Sequence, residues 1–237
     1  MDLELNKIYC MDCLEGMKMI PDNYVDLILT DIPYGETNRC KESGLRSLKK
    51  HDADIINFNL NNLLIEINRI TKGSIYIFCG AEQISTIRKY FRSNGLITRN
   101  FVWKKTNPSP MNGEHHWLSS IENGVYAKNS GATFNEFCKG VVFEYPNGSS
   151  KRHPTEKNED LIKYFVQVSS NINDIICDPF MGSGTTASAA IKLNRNFIGF
   201  ELSQKYCDIA NKRLGKLDKS YYEELPEDKK PSQQQLF

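Results

Sequence analysis

Residues 173–201 constrain this chain more than any other stretch. A short apolar run at 173–177 reads as a strand, 178–184 as a glycine-containing loop and 185–193 as an Ala-rich helix. A second strand at 197–200 ends at Glu201, and another helix follows over 204–214. Strands this short and this continuously apolar are buried on both faces, so their alternation with helices implies a parallel sheet covered on both sides. The rest of the chain agrees. A β-rich run at 25–30 stops at Asp31-Ile32-Pro33-Tyr34-Gly35, where Pro and Gly prevent continuation. Apolar residues at 58, 60, 63, 64, 67 and 70 recur at helical spacing before a strand at 74–79. Helices are predicted over 82–93 and 156–169, and strands over 97–103 and 121–128. The fold class is therefore α/β, a doubly wound and mostly parallel sheet in one domain over 1–217. Beyond it, 218–237 carries Lys, Glu, Pro, Ser and Gln without periodicity and reads as a flexible tail.

Composition narrows the function classes. With 237 residues, 40% hydrophobic and 25% charged, and a mean hydropathy of -0.49, the chain has the make-up of a soluble globular protein. No apolar run reaches membrane-spanning length, and Met1-Asp2-Leu3-Glu4 does not open a secretory signal, so a cytoplasmic protein without a membrane partner is expected. The seven cysteines are an odd, scattered set that fits reduced thiols. Cys10-x-x-Cys13 has no second pair and Glu114-His115-His116 stands alone, so no metal is assigned. The balance of 30 Lys+Arg against 29 Asp+Glu leaves +1, so a polyanion must be held by a local patch. Within an aperiodic segment at 36–56, Arg39, Lys41, Arg46, Lys49 and Lys50 stand against Glu42, giving 5 − 1 = +4 over 37–51 and marking a basic loop. A second aperiodic segment, rich in Gly, Asn and Ser, lies at 129–150.

The loop at 178–186 carries the first chemical signal. It reads Asp178-Pro179-Phe180-Met181-Gly182-Ser183-Gly184-Thr185-Thr186, and Glu201 follows Gly182 by nineteen residues at the next strand end. Such a β-α-β unit is a nucleotide cradle: glycine lets backbone approach a ligand, and the acidic residue can accept hydrogen bonds from ribose hydroxyls. The third glycine of dinucleotide folds is missing and an acidic residue opens the loop. That disfavours a pyrophosphate and suits a ligand with a cationic amino-acid group. Here the sequence resembles the amino-methylating DNA methyltransferases that use S-adenosylmethionine, over nearly the whole chain. The resemblance implies a Rossmann-like class I methyltransferase fold with seven strands. It makes 178–186 the loop around the methionine moiety and Glu201, followed by Leu202, the ribose ligand. His153-Pro154-Thr155-Glu156-Lys157-Asn158 resembles the family's His-Pro-Thr-x-Lys-Pro, which places His153, Thr155 and Lys157 beside the methionine end of the cofactor. Asn158, in place of the last proline, is expected to loosen the helix start. Asp12 and Cys13 are assigned to the adenine end, the aspartate as partner of the amino group.

The family's catalytic tetrad, Asp/Asn/Ser-Pro-Pro-Tyr/Phe, is matched by Asp31-Ile32-Pro33-Tyr34. An exocyclic amine is a poor nucleophile because its lone pair is delocalised into the ring. The Asp31 carboxylate and the carbonyl of Ile32 can accept its hydrogens while the electrophilic methyl sits in line. Tyr34 offers a face for an extruded base. Ile32 departs from the first proline, so φ is no longer locked and placement is expected to be less rigid. Trp103-Lys104-Lys105-Thr106-Asn107-Pro108 also resembles the family, and the tetrad precedes the cofactor loop, the order of the circularly permuted β group. Target recognition then falls to 36–56 and 129–150. Aspartate at the head of the tetrad resembles adenine-N6 enzymes more than cytosine-N4 enzymes, and the absence of a Pro-Cys pair argues against cytosine-C5 chemistry. Double-stranded DNA is the expected partner, met by Arg39, Lys41, Arg46, Lys49, Lys50, Lys104 and Lys105. A homodimer is compatible with two short recognition segments, and Gln233-Gln234-Gln235-Leu236-Phe237 resembles a peptide that docks on the replication sliding clamp. The rival readings are a cytosine-N4 enzyme, a methyltransferase for RNA or for a protein side-chain amide, a silent DNA-binding subunit and a nicotinamide-dependent enzyme.

Overall fold

A computed structural model describes residues 3–34, 59–110, 113–148 and 156–224. In chain order the elements are β1 (Lys7–Cys10), α1 (Cys13–Lys18), β2 (Val25–Asp31), α2 (Leu60–Ile70), β3 (Thr71–Phe78), α3 (Ala81–Ser93) and β4 (Ile97–Lys105). Then follow β5 (Ile121–Lys128), β6 (Val142–Tyr145), α4 (Glu159–Ser169), β7 (Ile175–Asp178), α5 (Thr185–Lys192), β8 (Asn196–Glu201) and α6 (Gln204–Glu224). The strands form one sheet in the order β1-β8-β7-β2-β3-β5-β4-β6. Only β5 runs against its neighbours, pairing antiparallel with β3 and β4.

Side-chain alternation sorts each central strand between two cores. Ile28, Ile75 and Ile77 pack with Met17 of α1, Leu63, Leu64, Ile67 and Ile70 of α2, and Ile87 and Phe91 of α3. Leu27, Leu29, Tyr76 and Phe78 face the other way, onto Leu161 and Phe165 of α4, the alanines of α5 and Ala210 of α6. Each strand is thus covered on both faces, which is why its sequence is apolar without a polar stripe. The second core is aromatic: Phe165 stacks on Tyr76 at 4.5 Å between centroids and meets Phe101 and Phe143 edge-on at 5.3 and 4.9 Å. Truncating such a side chain costs about 3–5 kcal/mol.

The sheet has eight strands rather than the seven expected. The additional edge strand, β6, arises inside the segment at 129–150 that sequence assigned to a recognition loop. It pairs parallel with β4, and the Trp103 indole N–H donates to the Tyr145 carbonyl at 2.9 Å. Four residues are too few for periodicity to register as a strand. β3 begins at Thr71, earlier than 74, because Val25 and Thr71 pair across the sheet. α6 continues past the expected boundary at 217 to Glu224. Nothing in 218–224 breaks a helix, whereas Pro226 disfavours helical backbone in the residue before it. Among the described residues no helix is long and apolar enough to cross a membrane.

Candidate active site

The carboxyl ends of β1, β2, β3, β7 and β8 open into one cleft of about 500 Å³. The chain order reverses between β2 and β7, where such sheets leave a crevice for ligands. Two sets of groups occupy the cleft.

The first set surrounds Asp31, the last residue of β2. Its Oδ1 accepts the Tyr34 hydroxyl at 2.6 Å, and its Oδ2 accepts the Lys157 ammonium. Lys157 Nζ also lies 3.0 Å from Glu122 Oε2 on β5, and Lys105 Nζ at the end of β4 lies 2.8 Å from Glu122 Oε1. Burial pushes the Asp31 carboxyl above its ordinary value against the opposing pull of Lys157. Burial acts the same way on Glu122, but Lys157 and Lys105 outweigh it and hold that carboxyl low. The two carboxylates in turn raise Lys157 despite its burial. Burial and the Asp31 charge keep the Tyr34 hydroxyl well above its ordinary value, so it stands as a donor. Next to Asp31, Ile32 is 1% exposed and joins the first core, and its N–H donates to the Phe78 carbonyl at 3.2 Å. A proline cannot make that bond. The departure from the family's proline therefore exchanges a locked φ for a buried side chain and a ladder hydrogen bond. The Pro33 carbonyl accepts Gln83 Nε2 at 3.2 Å, tying the tetrad to the first turn of α3.

The second set lines the other end of the cleft. Asp178 ends β7 and accepts the Phe180 amide at 3.1 Å; burial lifts its carboxyl to about 6 against hydrogen bonds from Thr186, Thr30 and that amide. Gly182 and Gly184 hold φ of 53° and 81°, and a Cβ on Gly184 would lie 3.0 Å from the Ala210 Cβ. Side chains are thus strained at both positions and crowded at the second. Glu201 accepts the Gly182 amide on one oxygen and the Ser203 amide on the other, each at 2.8 Å, and burial raises it. Asp12 caps α1 by accepting from the amides of Leu14 and Glu15. Cys13 lines the cleft at 6% exposure, and its thiol is pushed up to about 12 by burial. Pro179, Phe180, Ser183, Thr185, Thr186 and Leu202 complete this lining. Among the described residues around the cleft the cations are Lys105 and Lys157, both at the Asp31 end. The end bounded by Asp12, Asp178 and Glu201 is acidic, so its donor set fits a ligand with a cationic centre and ribose hydroxyls, and offers a pyrophosphate no counter-charge.

Lys157 meets Asp31. Lys104 pairs with Glu144 at 2.9 Å, with about half of each side chain exposed, and Lys105 pairs with Glu122. Asn158 is the N-cap of α4, accepting from Asp160 and Leu161 amides at 2.9 and 3.0 Å. It sits one position before the first helical turn, where asparagine is among the best residues, so the helix start is capped rather than loosened. Glu122 was missed; its signal was an acidic residue inside an otherwise strand-like run. Arg39, Lys41, Arg46, Lys49, Lys50, His153, Thr155 and 233–237 lie outside the described residues.

A doubly wound sheet with an acidic cleft at its switch point and an Asp-x-Pro-Tyr turn beside it is the arrangement expected of a methyltransferase of the α/β class. A family model for N6 and N4 enzymes, described as DNA methylase, matches residues 114–212. The Type II methyltransferase M.HinfI of Haemophilus influenzae is 31% identical over 89% of this chain and 68% of its own length. The crystal structure of the M1.HpyAVI–SAM complex superposes with a TM-score of 0.69 and 30% identity, over 87% of this chain and 98% of that one. The PvuII DNA methyltransferase, cytosine-N4-specific, shares the fold at a TM-score of 0.68 and 16% identity, over 90% of this chain and 87% of that one. The chain belongs to the N6/N4 DNA methylase family.

Proposed function

We propose that this DNA methyltransferase methylates the N6 amino group of adenine in double-stranded DNA, acting on a base turned out of the helix. The observation that carries the reading is the Asp31–Tyr34 pair at the end of β2, in one cleft with the acidic loop of β7. S-adenosylmethionine is the cofactor, and when bound it supplies an electrophilic methyl group. The loop at 178–186 and Glu201 would hold it, Asp178 supplying negative charge for its cationic amino-acid end. Asp31 would accept a hydrogen bond from the exocyclic amine and take its proton as the nitrogen gains the methyl group, the S–CH3 bond breaking to leave a neutral thioether. Each carboxylate oxygen has two lone pairs, so Lys157 and the Tyr34 hydroxyl leave acceptor positions for the amine. Tyr34 presents its ring to the base, and a base must leave the stack for its amine to reach a carboxylate inside the cleft.

Adenine is preferred to cytosine because the tetrad opens with aspartate. The test is to incubate the protein with unmethylated genomic DNA and labelled S-adenosylmethionine, then digest to nucleosides, with Asp31→Ala as control. N6-methyladenine that disappears in the variant is expected. N4-methylcytosine would reassign the base, and label absent from DNA despite cofactor binding would remove the substrate reading.

A further inference from the structure

The charges beside the β2 strand end alternate in sign through four segments of the chain: Asp31, Lys157, Glu122, Lys105. The side chains are 30, 8, 20 and 14% exposed respectively. Lys157 is the hub. Its ammonium touches both carboxylates and lies 5.6 Å from the Tyr34 ring centroid and 5.2 Å from that of Phe78. A cation this deeply buried needs both partners, since removing one leaves an uncompensated charge. Methyl transfer asks of Asp31 only that it be ionised and correctly oriented. Neither condition is secured by β2 itself, because burial favours the neutral acid.

We propose that Lys157 and Glu122 are positioning residues for methyl transfer: Lys157 fixes Oδ2 of Asp31 and keeps the carboxylate ionised, while Glu122, anchored by Lys105, holds Lys157 in place. This rests on Asp31 being the acceptor of the amine. The groups that act on Asp31 are Lys157, Glu122 and Tyr34, and Asp31 acts in turn on Asp178 and Cys79. Glu122 faces Lys157 and Lys105. The signs follow. Without the Lys157 charge, Asp31 takes up a proton at higher pH. Without the Glu122 charge, Asp31 ionises more readily, but Lys157 loses its proton at lower pH.

The test measures single-turnover methylation against pH at saturating DNA and S-adenosylmethionine, for the wild type, Lys157→Met, Lys157→Arg and Glu122→Gln. Thermal melts and cofactor affinity are recorded for each. At neutral pH the rate is expected to fall about 100-fold in Lys157→Met and about tenfold in Glu122→Gln, the scale of a misplaced or wrongly protonated reacting group. The acid limb moves up in Lys157→Met and down in Glu122→Gln, where a fall on the alkaline side also appears. Lys157→Arg retains the wild-type limb, and cofactor affinity changes less than about threefold in Glu122→Gln, which is not placed at the acidic end. Lower rates with unmoved limbs, or limbs moving together, would reduce the four charges to a scaffold and overturn the proposal. If Lys157→Met fails to fold, the Glu122→Gln and Lys157→Arg profiles still decide it. A wild type that methylates no DNA amine removes the reading of Asp31 and this inference with it, an outcome distinct from an active wild type with unshifted variants.

Discussion

Asp178 is a carboxyl kept where water would serve it better. At 4% exposure it is lifted from 3.8 to about 6, so the folded apo protein holds its proton more tightly than the unfolded chain. For an acid raised by folding, the ionised form carries a cost that is complete above about pH 6 and absent below 3.8. Asp178→Asn is therefore expected to stabilise the apo protein at pH 7 by up to about 3 kcal/mol, a gain that fades as the pH falls from 6 to 4, as read by urea melts. The same substitution should abolish binding of the cationic cofactor. In the wild type, cofactor affinity measured by calorimetry should weaken about tenfold for each pH unit below 6, as the carboxylate is lost. The acid at the head of the loop was legible in the sequence. Its strained protonation was not, because burial is a property of what covers the strand end.

At the scale of elements, Arg213 joins the loop at 178–186 to two helices. Buried at 6% exposure on α6, it donates to Glu156 and, on α4, Glu159, each at 3.0 Å, and to the Ser183 carbonyl and the Thr185 hydroxyl at 3.3 and 3.1 Å. Arg213→Met keeps the apolar stem but removes the cation that Glu156 and Glu159 share, leaving Glu159 to Lys192 and Ser188, a loss of about 3 kcal/mol by thermal or urea unfolding. Cofactor binding should weaken as well, since the loop at 183–185 loses its tether. The helices that carry these groups were visible as apolar periodicity, Leu161, Ile162, Phe165 and Val166 for α4. That an arginine of α6 would be buried between them was not visible, because a charged residue on a helix ordinarily marks the solvated face.

For the molecule as a whole, a net charge of +1 supplies no long-range attraction for DNA, so binding must come from local cations. Lys104 and Lys105 pair with Glu144 and Glu122, and the basic segment at 36–56 is the further set of cations expected to meet phosphates. The triple variant Arg46→Ala, Lys49→Ala, Lys50→Ala should lower the slope of log affinity against log salt by about 2–3, at roughly 0.9 per phosphate contact. An unchanged slope would remove these residues from the DNA interface. The sequence by itself determined the alternating sheet and helices, the acidic glycine loop and the tetrad, because each is written within a few consecutive residues. Only the tertiary structure decided that Lys157 meets Asp31 across 126 positions, that Glu122 and Lys105 complete the row, and that β6 closes the sheet. Such pairings depend on which strands become neighbours in the sheet. Strand order is fixed by packing over the whole chain, and no local spacing encodes it.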